Sequence, residues 1–145
     1  MVTGLVSHLF LKPDHGSPMH EVREAEAVDG KGLKGDISFG RGIRQVLIME
    51  AETVERFGLG PGMARENLLV TGLRLAGIPS GGLVTVGEAL LEVTGDCTPC
   101  SFMDELRPGL QNAIRGKRGI IARVVTGGTI RVGDPVAVSG ATAGN

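Results

Sequence analysis

The chain has no tryptophan and no tyrosine, and only four phenylalanines among 145 residues. Single-stranded nucleic acid is held largely by stacking bases on exposed aromatic rings, and this sequence has little to offer there. Charge of one sign is missing too. Fifteen basic against 16 acidic side chains leave a net −1, so no overall field draws the protein to nucleic acid or to an anionic membrane. Neither is expected as a partner. No apolar run approaches the roughly 18 residues that a spanning helix needs. The opening segment MVTGLVSHLF lacks the basic stretch and small-residue cleavage site of a secretory leader. Cysteine is scarce, at two residues, and without a leader this points to a reducing, cytoplasmic setting.

The length fits one domain over residues 1–145. Such a domain buries roughly 68–70% of its unfolded surface and needs neither disulfide nor metal to hold together. Its core is expected over about 3–138, with a frayed tail at 139–145. Glycine is what the chain has in excess, at 24 residues set between apolar runs. Many turns and few long helices follow.

Strand-length runs recur at short spacing: Val2–Leu11, Arg23–Val28, Arg44–Met49, Asn67–Thr71, Leu83–Val86, Ala89–Thr94, Gly119–Val125, Thr129–Val132 and Pro135–Val138. A short helix is expected over Glu50–Phe57, with Val54 and Phe57 on one side and Gly58 stopping it. The β-branched runs around Gly127–Gly128 read as a hairpin, and Pro135–Val138 as a final edge strand. No β–α–β alternation with long helices appears. The expected fold class is mainly β: a closed or nearly closed β-barrel with a few short helices.

The two cysteines, Cys97 and Cys100, stand as C-x-x-C in GDCTPC. A structural zinc site wants four ligands, and His8, His15 and His20 lie far upstream without a tight pair, so no zinc is expected. A thioredoxin-like redox pair needs a strand and long helix that this pattern lacks. Two small buried hydrophobes are the plain alternative. Against that, Pro99 pins the backbone before Cys100, and Ser101 with Asp104 has the spacing of a capping box. A helix starting at Ser101 would set the Cys100 sulfur beside its N-terminus and favour thiolate there. Cys100 is thus a candidate nucleophile or soft-metal ligand.

A longer pattern surrounds it: GLKGD at 32–36, RQVLIM at 44–49, GPGMARENL at 60–68, VGEALLEVTG at 86–95, the PC at 99–100, and RGIIARVVTGGTIRVGD downstream. In order and spacing, over about residues 3–138, the chain resembles the MOSC family, the domain at the C-terminus of molybdenum cofactor sulfurases and in free-standing bacterial proteins. The resemblance implies a barrel of the pyruvate-kinase barrel-domain type. It implies that Cys100 carries sulfur as a persulfide or binds the molybdenum of the cofactor (molybdopterin) directly. It implies as partners a cysteine desulfurase, whose kind uses pyridoxal phosphate, or a molybdoenzyme. Cys97 and Thr98 stand where many relatives have an arginine before PC.

A phosphorylated pterin needs cations or clustered backbone N–H groups. Arg65 in ARENL is the first candidate, followed by Arg118 and Lys117 in RGKRG; Arg115 reads as a solvated turn residue. Asn67 is a candidate for the pterin edge or a cap on the strand entry. Asp36 stands at the expected site mouth or forms a turn. His15 and His20 read as solvent-facing, and Met49, Met63 and Met103 as packing. No Ser-His-Asp spacing, paired carboxylate or Walker loop is present, and thiolate exchange needs none. Two further readings belong to other classes: a molybdenum-cofactor reductase of N-hydroxylated compounds, and a binding barrel without sulfur chemistry.

Overall fold

Two of the apolar runs, VLIM and LLVT, are continuous rather than alternating, which is the mark of strands covered on both faces. The computed structural model, which describes residues 2–97 and 101–139, shows why. Strands β5 (Val46–Glu50) and β6 (Leu68–Thr71) pair in parallel, joined by helix α1 (Ala51–Arg56). Val46, Ile48, Leu68 and Val70 point into the barrel core. Leu47, Met49 and Leu69 point outward into a second apolar cluster beneath the helices. A parallel neighbour requires a crossover, and α1 supplies it.

The remaining pairings are antiparallel. Strands β1 (Val2–Leu11), β7 (Leu83–Val86), β8 (Ala89–Asp96), β9 (Ile120–Thr126) and β11 (Pro135–Ser139) run with β5 and β6 in the order β11-β7-β8-β9-β5-β6-β1. Pairing of β11 with β1 closes the ring, a seven-stranded barrel. Strand β2 (His20–Val22) is appended to β1. A second sheet of β10 (Gly128–Arg131), β3 (Glu24–Val28) and β4 (Gly32–Leu33) lays Ala25, Ala27, Leu33 and Ile130 on the barrel core. Helices α2 (Ser101–Leu106) and α3 (Leu110–Ala113) cover the second cluster through Met103 and Leu110. Among the described residues no helix is long and apolar enough to cross a membrane.

Two expectations are corrected. Strands β9 and β10 do not form a hairpin. Strand β10 pairs with β3, Thr129 opposite Glu26 and Ile130 opposite Ala25. The glycines between them serve close approach rather than a tight turn. A Cβ on Gly127 would collide with the Ala27 carbonyl oxygen, and one on Gly128 would lie 2.8 Å from the Glu88 carbonyl oxygen. The chain needs both hydrogens to cross from one sheet to the other. Strand β11 is not an edge either, because it is bonded on both sides, to β1 and β7. Its proline begins the strand, where a missing N–H costs least.

Candidate functional site

The site is built from chain ends. Strand β1 leaves the barrel at Lys12 while β5 and β6 enter it after Arg44–Gln45 and Arg65–Asn67. Between them lies a cleft of about 240 Å³. Its apolar floor comes from Val46, Leu47 and Ile121, and Cys97, just past the end of β8, stands on its wall.

Asp36 and Asn67 form the hub that holds these ends together. Asp36 is 6% exposed. Its Oδ1 accepts from the Lys12 backbone N–H at 2.8 Å and from Asn67 Nδ2 at 3.1 Å, and its Oδ2 accepts from the Ser38 N–H at 3.0 Å. Asn67 Nδ2 also donates to the Phe10 carbonyl, and Asn67 Oδ1 accepts from the Leu47 N–H. Both amide hydrogens and the amide oxygen of Asn67 are thus engaged. The pair ties β1, β5 and the entry to β6 to the loop after β4. Buried Gln45 does similar work. Its Nε2 donates to the Gly30 carbonyl and its Oε1 accepts from the Val124 N–H.

Arg65 is an exposed cation of the site, as is Arg44. Its φ of 63° is the one positive value at a described residue other than glycine. An arginine there costs of order 1 kcal/mol, and such backbone persists where its surroundings hold it. The hold comes from both flanks. Glu66, fully buried, accepts the Gly62 N–H on Oε2 at 2.8 Å. Arg118, 5% exposed, donates from Nη2 to the Ala64 carbonyl at 2.7 Å and from Nη1 to Met49 Sδ at 3.0 Å. Glu66 Oε1 and Arg118 Nε have no hydrogen-bond partner among the described residues. The Arg65 guanidinium lies 3.6 Å above the Phe102 ring, a cation–π contact that docks the loop on α2.

The structure therefore brings Asp36, Arg65 and Asn67 to one cleft and leaves Arg118 and Lys117 outside its lining. Arg118 sits beneath the 60–67 loop. Lys117 is exposed and lines a small niche with Glu50 and Asp96. Cys100 lies outside the described residues. The helix expected at Ser101 is present, but with six residues it offers little dipole to a thiol before it. Asp104 Oδ1 accepts the Gln111 N–H at the start of α3, so the carboxylate assigned to a capping box braces the next helix.

Sequence reasoning missed Lys12, Arg44 and Cys97 as cleft residues, and dismissed His15, which is exposed yet lines it. No spacing rule joins residues 12, 44, 65 and 97; the strand order β8-β9-β5-β6-β1 does. Lys12, Arg44 and Arg65 bring three basic residues to the lining of the cleft, the Lys12 ammonium donating to the Ser17 carbonyl at 3.1 Å. One carboxylate, Asp36, faces them, and three donors already occupy it. Such a donor set is suited to an anion.

Comparison with known proteins is consistent with this architecture. A family model described as MOSC domain matches residues 36–137. The fold is similar to the YuaD protein from Bacillus subtilis, with TM-score 0.79 and 20% identity over 92% of this chain and 94% of that one. It is similar to YiiM from Geobacillus stearothermophilus, with TM-score 0.72 and 24% identity over 94% and 75%. YiiM from Escherichia coli gives TM-score 0.67 and 19% identity over 94% and 68%. At these identities the likeness shows the fold. No curated protein matches the chain significantly by sequence.

Proposed function

The chain belongs to the MOSC domain family, which is linked to molybdenum cofactor sulfurases, and from that premise we propose that it takes up sulfur on Cys100 and delivers it to the molybdenum cofactor seated in the cationic cleft. The observation that carries this reading is the cleft itself. Three basic side chains meet a thiol-bearing wall, and the one facing carboxylate is internally satisfied.

These residues fit a phosphorylated pterin. Lys12, Arg44 and Arg65 would hold the phosphate, Arg65 through a guanidinium that can engage two oxygens at once. The apolar floor of Val46, Leu47 and Ile121 suits the flat face of a heterocycle. When bound, the cofactor supplies a thiophilic metal that accepts sulfur.

The chain's own step is thiolate exchange. The Cys100 thiolate attacks the outer sulfur of a donor persulfide, of the kind a cysteine desulfurase carries. A new S–S bond forms at Cys100, the donor's S–S bond breaks, and the donor leaves as its thiolate. The exchange moves one sulfur atom and consumes no oxidant. Arg65 is stacked on Phe102 in α2, two positions after Cys100 in sequence, and a cation that neighbours a thiol favours thiolate.

The test is intact mass. Full-length protein is incubated with glutathione persulfide and freed of small molecules. Wild type and Cys97→Ala are expected to gain the mass of one sulfur atom, and Cys100→Ala to gain none. Uptake by Cys100→Ala equal to that of wild type, or no uptake by any of the three, would overturn the proposal.

A further inference from the structure

Strands β5 and β6 run parallel, so both begin on one side of the barrel and end on the other. The cationic cleft lies where they begin, at Arg44–Val46 and Arg65–Asn67. A groove of about 650 Å³ lies where they end, and it shares no lining residue with the cleft. It runs between Glu50 at the end of β5, helix α1, the loop 72–79 after β6, and Val138 in β11. A space of that size is in the range of small-molecule sites. Leu73, Ile78, Pro79 and Val138 give it apolar walls, and Ile78 and Val138 are themselves packed on the barrel core.

The charged side chains of the groove are divided in an unusual way. Glu52 stands four residues before Arg56 in α1, the spacing at which a helix pairs opposite charges. Glu52 instead turns to the loop, where its Oε2 accepts the Gly72 N–H at 2.8 Å. Glu50 Oε2 accepts the Leu75 N–H at 2.9 Å. Both carboxylates thus hold the loop against β5 and α1. Arg56 and Arg74 are left over. Both are exposed and line the groove, and neither has a hydrogen-bond or ion-pair partner among the described residues. Each guanidinium brings five N–H donors in a planar fork.

We propose that this groove binds a free monocarboxylate with an apolar body of medium length. Arg56 and Arg74 hold the carboxylate, to which a guanidinium can offer two parallel N–H bonds. The body lies along Leu73, Ile78, Pro79 and Val138, each buried methylene adding to affinity. The two demands are separate. A short anion such as acetate lacks the apolar body, and a neutral chain such as 1-octanol leaves both guanidiniums without a partner. The occupant sits at the far end of β5 and β6 from the cleft, so it does not compete with an anion bound there.

The experiment titrates full-length protein with sodium octanoate by calorimetry and locates the contact by backbone amide shifts in NMR spectra. Wild type is expected to saturate at one octanoate per chain, with shifts concentrated in α1 and residues 72–79. Arg56→Gln/Arg74→Gln is expected to bind at least about tenfold more weakly, as loss of two charge-assisted contacts implies. Its urea midpoint should stay at the wild-type value, because the two arginines bond nothing among the described residues. Acetate and 1-octanol should each bind at least about tenfold more weakly than octanoate. The inference is overturned if wild type shows no saturable binding, if the double variant or 1-octanol matches wild type with octanoate, or if the shifts fall on the cleft residues instead.

Discussion

Asn67 and Arg65, two residues apart in ARENL, divide the work of the site between holding and binding. Asn67 is buried with its amide fully used. Arg65 is exposed on a strained backbone that Glu66 and Arg118 pin from below. The sequence marked both as candidates without separating them, because residue type alone does not reveal burial. It marked Arg118 for the same reason, as a cation entering a strand, although the side chain turns inward to Met49 and Ala64. Asn67→Ala would strand the Leu47 N–H and take a donor from the Phe10 carbonyl and from Asp36 Oδ1, which keeps the Lys12 N–H. The expected loss is about 3 kcal/mol of stability, read as a lower urea midpoint at unchanged slope. A loss below about 0.5 kcal/mol, the size of an ordinary surface change, would show that the hub is not a support.

Among the elements, strand existence was legible and strand partnership was not. Leu83–Val86 and the turn before Ala89 appear as read, since a hairpin encodes its own partner locally. Helix α1 lies within the expected span, with Val54 buried and the Gly58 N–H bonded back to Glu55. Strands β9 and β10 looked alike on either side of two glycines. Their pairing is nonetheless decided by β3, which lies about a hundred residues earlier in the chain. A Gly-Gly pair signals either a turn or a close crossing, and sequence offers nothing to choose between them. Gly127→Ala tests the crossing. The new methyl would meet the Ala27 carbonyl, at an expected cost of about 1–3 kcal/mol. Loss of hydrogen-exchange protection should be confined to the β3–β10 pairing. Protection and stability equal to wild type would mean that the crossing has slack.

For the whole molecule, the order of strands in the barrel is what creates the site. Lys12, Arg44, Arg65 and Cys97 come from four separate stretches of chain and meet at the ends of strands that neighbour one another in the order β8-β9-β5-β6-β1. A net charge of −1 hides this, because a local cationic cleft is compatible with an overall balance of sign. The barrel class and the region of the site were legible from turn spacing and from the ordered run of motifs; the cations lining the cleft were not. The proposed function requires that this cleft seat an anionic pterin. The measurement that tests it most directly is pterin fluorescence with molybdenum content, taken on protein purified from a host that makes the cofactor. Wild type should carry pterin, and the double variant Arg44→Ala/Arg65→Ala should lose at least about nine-tenths of it, as removal of two charge-assisted contacts implies. Pterin absent from wild type, or held equally by the double variant, would contradict the claim.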